Sequence, residues 1–168
     1  MDRLGHGTAV AAAIREKAPA AELYAVKIFD RQLQTNAADL VQAIRWCVEH
    51  QMRLINLSLG TANPAHSGIL QQAIDEAGAS GAWVIAAGEW LPGSLPGAIP
   101  VFLDWECPRD EYRTETLPGG RVGYFASGYP RPRPGVPPER NLRGISFAVA
   151  NVTGLLAREL QTAGPESS

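Results

Sequence analysis

The sequence predicts an α/β domain in which a mostly parallel sheet lies between layers of helices. Short apolar runs alternate with amphipathic helical segments, which is the pattern of strands joined by helical crossovers. The run AWVIAAG, residues 82–88, is uniformly apolar, as expected for a strand buried on both faces of a parallel sheet. With 168 residues, 45% hydrophobic and 19% charged, the chain is long enough for one folded core. We expect a single domain over residues 1–163.

The elements before residue 61 begin with a short glycine-rich stretch. GHGT, residues 5–8, leads into alanines and predicts a helix over Ala9–Ile14 with Thr8 as its N-cap. AELYAVKIF, residues 21–29, is rich in β-branched and aromatic residues and predicts a strand. Apolar residues recur at helical spacing over residues 36–51, which predicts a helix capped by Asn36. RLINLSLG, residues 53–60, predicts the next strand.

The second half of the sheet is predicted from three further segments. SGILQQAIDEAGAS, residues 67–80, predicts an amphipathic helix that ends near a glycine. The apolar run at residues 82–88 predicts a strand, and AIPVFLDW, residues 98–105, predicts another. Chemistry in parallel sheets lies beyond the carboxyl ends of the strands, where Ser58 to Gly60 and Gly88-Glu89 are found.

The last third of the chain changes in composition. Residues 107–141 are expected to be irregular, because YPRPRPGVPPER, residues 129–140, combines five prolines with several arginines. This stretch is interpreted either as a stiff surface connection or as a basic arm that grips an acidic peptide or partner. A helix is predicted over Phe147–Leu160, followed by a flexible tail at residues 164–168. Ser146 directly before that helix reads either as its cap or as an exposed nucleophile.

Composition excludes several classes of function. The formal net charge of −2 gives no sign of a general nucleic-acid or membrane-surface binder. Two cysteines, Cys47 and Cys107, are too few for a disulfide framework or a metal site, so we expect packing thiols. The sequence contains no signal peptide and no long apolar span. We therefore expect a cytoplasmic protein that uses no metal and no cofactor.

Five segments in a fixed order carry a family resemblance. His6-Gly7-Thr8, LYAVKIF, INLSLG, VIAAGE and GISFAVANVTG together resemble the subtilisin-like serine peptidases over most of residues 4–160, least so between residues 90 and 142. The resemblance implies that His6 stands at the general-base position and Ser146 at the nucleophile position. It also implies that Ser58, Leu59 and Gly60 line a cleft and pair with an extended peptide.

Two departures from the family pattern concern catalysis. The family order is Asp, His, Ser, and the aspartate with its strand lies well before the histidine, so we expect this chain to lack the N-terminal strands. Glu89 stands where the family has the asparagine that donates to the oxyanion, and an ionised carboxylate has no proton to donate. Phe147 replaces the methionine after the serine and is expected to narrow the cleft.

These features lead to two functional hypotheses. The first is a truncated, degenerate and catalytically inactive pseudo-peptidase that binds a peptide or protein, such as a ribosomally made precursor peptide held for modifying enzymes. Its peptide-binding residues would be Ser58, Leu59, Gly60, Gly88, Glu89 and Phe147. The alternative is a serine endopeptidase that uses His6 and Ser146, completed by a partner chain that supplies the aspartate. In either case we expect a homodimer or a partner protein at the strand edge left by the missing strands.

Overall fold

The computed structural model describes residues 5–28, 36–135 and 143–164. Its elements confirm the predicted α/β class. In chain order they are α1 His6–Lys17, α2 Ala37–Glu49, β1 Leu54–Leu57, a 3₁₀ turn Pro64–His66, α3 Ser67–Ala79, β2 Trp83–Ala87, β3 Ile99–Leu103, β4 Tyr112–Thr116, β5 Val122–Ala126 and α4 Ile145–Thr162. None of the helices in the described ranges is long and apolar enough to cross a membrane.

The five strands form one sheet in the order β1-β2-β3-β5-β4. Strands β1, β2, β3 and β5 run parallel, and β4 pairs with β5 in the antiparallel direction. Alternate residues of β2 face opposite layers, since Val84 packs with α2 and α3 whereas Ile85 packs with α4. The sheet therefore lies between two helical layers, as predicted.

Helix α1 lies against α4, outside the sheet. A methyl group added at Gly154 of α4 would stand 3.0 Å from Cβ of Lys17 and 3.1 Å from the carbonyl oxygen of Ile14. The absence of a side chain at this position thus lets the two helices approach closely. Near their N-terminal ends, His6 of α1 contacts Phe147 of α4. This packing places His6 next to the start of α4.

The predicted strand at Ala21–Phe29 is not a strand. Residues 22–28 have no regular secondary structure, and Phe29 lies outside the described residues. Leu23 packs against the α1–α4 core and Ile28 packs against the core of α2 and α3. The prediction failed because an apolar, β-branched run becomes a strand only where a neighbouring strand pairs with it.

The segment 107–141, predicted to be irregular, contains the β4–β5 hairpin. Strand β5 is a central strand of the sheet, but its sequence VGYFA is short and closely surrounded by glycine and proline. Residues 129–135 have neither helix nor strand, and residues 136–142 lie outside the described part of the chain. Of the predicted flexible tail, residues 165–168 also lie outside it.

Two predicted helix caps differ from the structure. Helix α1 begins at His6 after Gly5, whose φ of 65° is left-handed, so Thr8 lies inside the first turn. Helix α4 begins at Ile145 after Gly144, so Ser146 also lies inside the first turn rather than at the cap. Asn36 caps α2 as predicted, because its side chain accepts a hydrogen bond from the backbone N–H of Asp39 at 2.8 Å.

Arg121 joins the hairpin to the loop between β2 and β3. Its guanidinium donates hydrogen bonds to four backbone carbonyls of that loop, those of Gly93, Ser94, Leu95 and Ala98, at 2.7–3.2 Å. A charged donor that satisfies several carbonyls at once makes strong hydrogen bonds. The loop that follows Glu89 is thus fixed to the rest of the sheet.

Candidate functional site

Ser146 and Ser58 meet where α4 begins and β1 ends. The Ser146 hydroxyl donates a hydrogen bond to the backbone carbonyl of Ser58 at 3.1 Å. In return the Ser58 hydroxyl donates to the backbone carbonyl of Ser146 at 3.3 Å. The structure therefore brings together two residues that are 88 positions apart and that the sequence assigned to the nucleophile and the cleft.

Asn56 and Thr153 extend this contact into the interior. The amide of Asn56 donates to the Ser58 hydroxyl at 2.9 Å, and its carbonyl oxygen accepts from the Thr153 hydroxyl at 2.9 Å. Asn56 lies on β1 and Thr153 lies two turns along α4 from Ser146. The start of α4 is therefore attached to the end of β1 by a chain of polar side chains. The sequence analysis missed both residues, because their types and spacing carry no specific signal.

His6 contacts Phe147, the residue that follows Ser146. Its imidazole packs on the Phe147 ring with centroids 5.4 Å apart and planes tilted by 58°. Within the described residues, no hydrogen bond joins the His6 ring to Ser146 or to a carboxylate. A general base must lie within hydrogen-bond reach of the proton that it takes. In this arrangement the Ser146 proton is directed to the Ser58 carbonyl.

Phe147 does not line a cleft. Its side chain is 1% exposed and packs with Val10, Ala13, Ile14 and Ala150 between α1 and α4. The expectation that it narrows the cleft and contacts a peptide is therefore wrong. An apolar residue directly after a serine in the first turn of a helix can point either way, and here the neighbouring helix α1 covers it.

Gly88 and Glu89 follow the carboxyl end of β2, as predicted. A side chain at Gly88 would stand 2.3 Å from the Phe102 ring, so this glycine is explained by packing against β3 rather than by a ligand. Glu89 is exposed. No hydrogen bond or ion pair joins Glu89 to His6 or Ser146 among the described residues.

Leu59 and Gly60 continue the chain beyond β1. Leu59 packs against the core of α2 and α3, whereas Gly60 is exposed. A side chain at Gly60 would meet the Leu91 carbonyl oxygen at 2.7 Å and the Trp90 Cβ at 3.1 Å. Directly beyond it, Thr61 and Leu91 exchange two backbone hydrogen bonds, at 2.9 and 3.0 Å. The segments after β1 and β2 are therefore closed against each other at this point.

An open cleft of about 440 Å³ lies at the start of α4, next to Gly144. It is lined by Trp105, Tyr129, Arg143 and Gly144. The Trp105 and Tyr129 rings meet edge to face with centroids 5.0 Å apart, and Trp105 is 43% exposed. Aromatic faces and a guanidinium next to the positive end of a helix form a surface suited to an acidic or aromatic peptide segment.

Asn151 is a buried polar residue of α4 near this cleft. Its amide donates to the carbonyls of Ser127 and Tyr129 at 2.8 and 3.1 Å, while its own side-chain oxygen has no hydrogen-bond partner among the described residues. These bonds hold the segment after β5 against α4 and thereby position Tyr129. The two cysteine thiols form no disulfide, and burial raises the pKa of both Cys47 and Cys107. In the described ranges no cluster of side chains could hold a metal ion.

Comparisons with known proteins agree with the fold. The model of the subtilase family matches residues 1–98. The minor extracellular protease Epr of Bacillus subtilis is 36% identical over 142 residues, which cover 76% of this chain and 22% of that protein. The thermostable alkaline protease of Halalkalibacterium halodurans is 36% identical over 95 residues, 51% of this chain and 26% of that protein. The chain thus spans about a quarter of the length of these two relatives.

Two solved structures extend the comparison. The prenylagaramide maturation protease PagA superposes with a TM-score of 0.72 at 26% identity, covering 96% of this chain and 67% of that protein. The patellamide maturation protease PatA superposes with a TM-score of 0.54 at 21% identity, covering 82% and 56%. The latter likeness concerns the fold alone.

Proposed function

Because this chain belongs to the subtilase family, we propose that it is a peptide-binding member whose serine site is catalytically silent. The observation that carries the proposal is the Ser146 hydroxyl, which donates to the Ser58 carbonyl at 3.1 Å while His6 packs on Phe147. A serine becomes a strong nucleophile when an adjacent base accepts its proton. A backbone carbonyl cannot act as that base.

Glu89 supports the same conclusion. It follows β2 at the position where the family pattern has the oxyanion-stabilising asparagine. Negative charge develops on the substrate carbonyl oxygen in the transition state of acyl transfer, and donors, not carboxylates, stabilise it. An ionised Glu89 near that position would oppose the charge. The oxyanion would still lack a hydrogen-bond donor at this position even if another chain supplied the missing aspartate.

Peptide binding does not require catalysis. Extended peptides bind to strand-like segments through main-chain hydrogen bonds, and pockets for alternate side chains give specificity. We propose that the backbone of Ser58 to Gly60 offers such a segment up to the point where Thr61 pairs with Leu91, and that the cleft of Trp105, Tyr129 and Arg143 at the start of α4 takes another part of the peptide. Arg143 makes no ion pair with a described residue, so it is free to pair with an acidic side chain of a bound peptide.

The solved relatives suggest the kind of peptide. PagA and PatA are named maturation proteases of prenylagaramide and patellamide. By analogy, we propose that this chain holds a ribosomally made precursor peptide in the cytoplasm while other enzymes act on that peptide. The known relatives cleave their substrates, whereas this chain would retain its peptide intact.

The exposed edge of β1 is a proposed site for a further strand. Strand β1 ends the sheet and pairs only with β2 among the described residues. The backbone groups of Leu54 and Asn56 point away from β2, because the ladder uses Arg53, Ile55 and Leu57. An open edge of this kind takes up strands from other chains. We propose that a second copy or a partner protein pairs there.

A serine endopeptidase is the second candidate. One observation favours it: His6 and Ser146 are both present and lie on neighbouring helix ends, beside the open edge of β1. A strand carrying an aspartate, added at that edge, would stand close to His6. Reorientation of the His6 ring toward Ser146 would then complete a triad.

Labelling with a fluorophosphonate probe tests whether the serine site is silent. The folded protein, the Ser146→Ala variant and an active subtilisin are treated in parallel and compared by intact mass. We expect a phosphonylated adduct on the subtilisin and none on this chain. An adduct that appears on the unaltered protein and disappears in Ser146→Ala would show an activated serine and would favour the endopeptidase.

Peptide binding is tested separately by fluorescence anisotropy. The probe is a short fluorescein-labelled peptide in which aspartate alternates with valine, and the same peptide with lysine in place of aspartate is the control. We expect the acidic peptide to bind more tightly, and Arg143→Gln and Trp105→Ala each to weaken it about fivefold to tenfold. Arg133→Gln, outside the cleft, is the matched control. Equal binding of both peptides would contradict a role for Arg143.

A further inference from the structure

A second cavity lies at the C-terminal end of α1, far along the helix from His6. It is an open space of about 330 Å³ lined by Glu16, Lys17, Arg109, Asp110 and Arg158. These residues come from α1, from the loop before β4 and from α4. The family motifs on which the sequence analysis relied include none of them.

Lys17 is the unusual member of this set. Its side chain is only 7% exposed, although lysine is rarely buried without a partner. No hydrogen bond or ion pair engages its ammonium group among the described residues. Its stem lies against Gly154, where the two helices approach closely. The stem of the lysine is therefore held in place by packing, and its ammonium group forms no ion pair with a described residue.

Arg109 does not serve as a free cation. Its two terminal nitrogens donate to the Glu16 carboxylate at 2.8 and 3.2 Å, and its Nε donates to the Tyr129 carbonyl at 3.1 Å. All the groups with which arginine binds a carboxylate side-on are thus occupied. This bidentate pair lowers the pKa of Glu16, and it leaves Lys17 and Arg158 as the cations of the cavity that form no ion pair with a described residue.

The balance of charge indicates the class of ligand. Three cations and two carboxylates line the cavity, so one positive charge remains when the Arg109–Glu16 pair and Asp110 are counted. A single negative charge would neutralise the cluster. A space of this volume is in the range of pockets that hold small organic molecules. We infer that the cavity is a binding site for the carboxylate of a small organic acid, held between Lys17 and Arg158.

The protonation state of Lys17 provides a readout of carboxylate binding that does not depend on the balance of charge in the cavity. The pKa of Lys17 is lowered to about 8, first by burial and then by the positive charges of Arg109 and Arg158, while Glu16 and Asp110 act in the opposite direction. Arg131 adds a positive field at Glu16 on the same side. A bound carboxylate would favour the ammonium form of Lys17 and raise this pKa. By linkage, carboxylate binding should weaken as the pH rises through about 8.

Competitive acetylation measures the effect of a bound carboxylate on the protonation of Lys17. The comparison is simple because Lys17 and Lys27 are the only lysines of the sequence. The folded protein is treated at pH 8 with a trace of N-hydroxysuccinimidyl acetate, with increasing sodium propionate or with sodium chloride at equal ionic strength. Peptide mass spectrometry gives the ratio of Lys17 to Lys27 modification. We expect propionate to lower this ratio saturably by about threefold, and chloride to leave it nearly unchanged.

Two variants identify the site. Arg158→Gln should abolish most of the protection by propionate, since it removes the second free cation from an exposed position of α4. Arg15→Gln, in the same last turn of α1 but outside the cavity, should keep it. Circular dichroism establishes that both variants are folded. An unchanged ratio in propionate, equal protection by chloride, or full protection in Arg158→Gln would overturn the proposal.

Discussion

The two ends of the α1–α4 helix pair differ in how their polar groups are satisfied. At the N-terminal end, the Ser146 and Ser58 hydroxyls bond to each other's backbone carbonyls, and His6 packs on Phe147. Near the C-terminal end of α1, Lys17 is 7% exposed, and its ammonium group makes no hydrogen bond or ion pair with a described residue. The same two helices thus carry a closed polar network at one end and an open charge at the other.

The difference between the two ends determines where a ligand can bind. A closed network rigidifies the local structure but leaves little free for a ligand, whereas an unpartnered buried charge reduces stability and attracts a counter-ion. The end that carries the family's catalytic positions is therefore the one with fewer polar groups available to a ligand. The end without a family motif carries the cluster of charged side chains around Lys17. Substitutions that affect both ends, or one end alone, test this interpretation.

The largest loss of stability is expected at Gly154, because the close approach of α1 and α4 there positions both ends of the helix pair. Gly154→Val would place a branched side chain against Lys17 and the Ile14 backbone, where even a first carbon atom stands 3.0–3.2 Å away. We expect the free energy of unfolding to fall by about 3 kcal/mol, because overpacking pushes the two helices apart. Denaturant unfolding followed by circular dichroism measures it.

The matched control for that substitution is Gly78→Ala in α3. A side chain there meets no atom within 4 Å, so alanine should stabilise the chain by about 0.5–1 kcal/mol through helix propensity. If Gly154→Val were as well tolerated as Gly78→Ala, the close approach of α1 and α4 would not hold the two ends in place.

A smaller effect, of opposite sign, is expected at the end of α1 that carries Lys17. Lys17→Met keeps the apolar stem and removes the buried charge. Because the pKa in the folded chain is about 8 and the ordinary value is 10.5, the unfolded chain binds more protons between these pH values. The cost of burying the charge is thus full below about pH 8 and fades toward pH 10.5.

We therefore expect Lys17→Met to stabilise the chain by about 1–3 kcal/mol at neutral pH, in buffer free of carboxylates. The difference between the variant and the unaltered protein should shrink as the pH is raised toward 10.5. Urea unfolding at several pH values measures it, and Lys27→Met at an exposed position is the control. A constant difference across this range would mean that packing, not charge, separates the two proteins.

These two ends also differ in how far the sequence predicted them. Local patterns predicted the four helices and strands β1, β2 and β3 in their correct order, but also a strand at residues 21–29 that does not form. Family motifs singled out His6, Ser58 and Ser146. The direction of the Ser146 hydroxyl did not follow from these motifs, because it depends on how α4 docks on β1. The burial of Phe147 depends likewise on α1, which lies about 140 positions away in sequence.

The cavity at Lys17 carried no signal in the sequence. Its residues come from three separate segments, and each alone resembles an ordinary surface charge. Strands β4 and β5 were missed for a related reason, since Tyr112–Thr116 is mostly exposed and its pairing is a tertiary contact. Local patterns thus predicted the elements, whereas long-range contacts decided which polar groups have partners.

The smallest effect is expected at the Ser146–Ser58 contact. Each hydrogen bond joins a partly exposed hydroxyl to a backbone carbonyl, so Ser146→Ala and Ser58→Ala should each cost about 0.5–1.5 kcal/mol. The two bonds form one reciprocal contact, and loss of one frees the other hydroxyl to turn to solvent. The double variant should therefore cost less than the sum of the single variants.

A double-mutant cycle measured by denaturant unfolding gives the coupling between the two serines. A coupling above about 0.5 kcal/mol would show that the Ser146 hydroxyl is engaged in the fold in solution. Additive effects would mean that it is released from Ser58 for much of the time. A released hydroxyl could be reached by the His6 ring, and the N-terminal end of the helix pair would then be the reactive one.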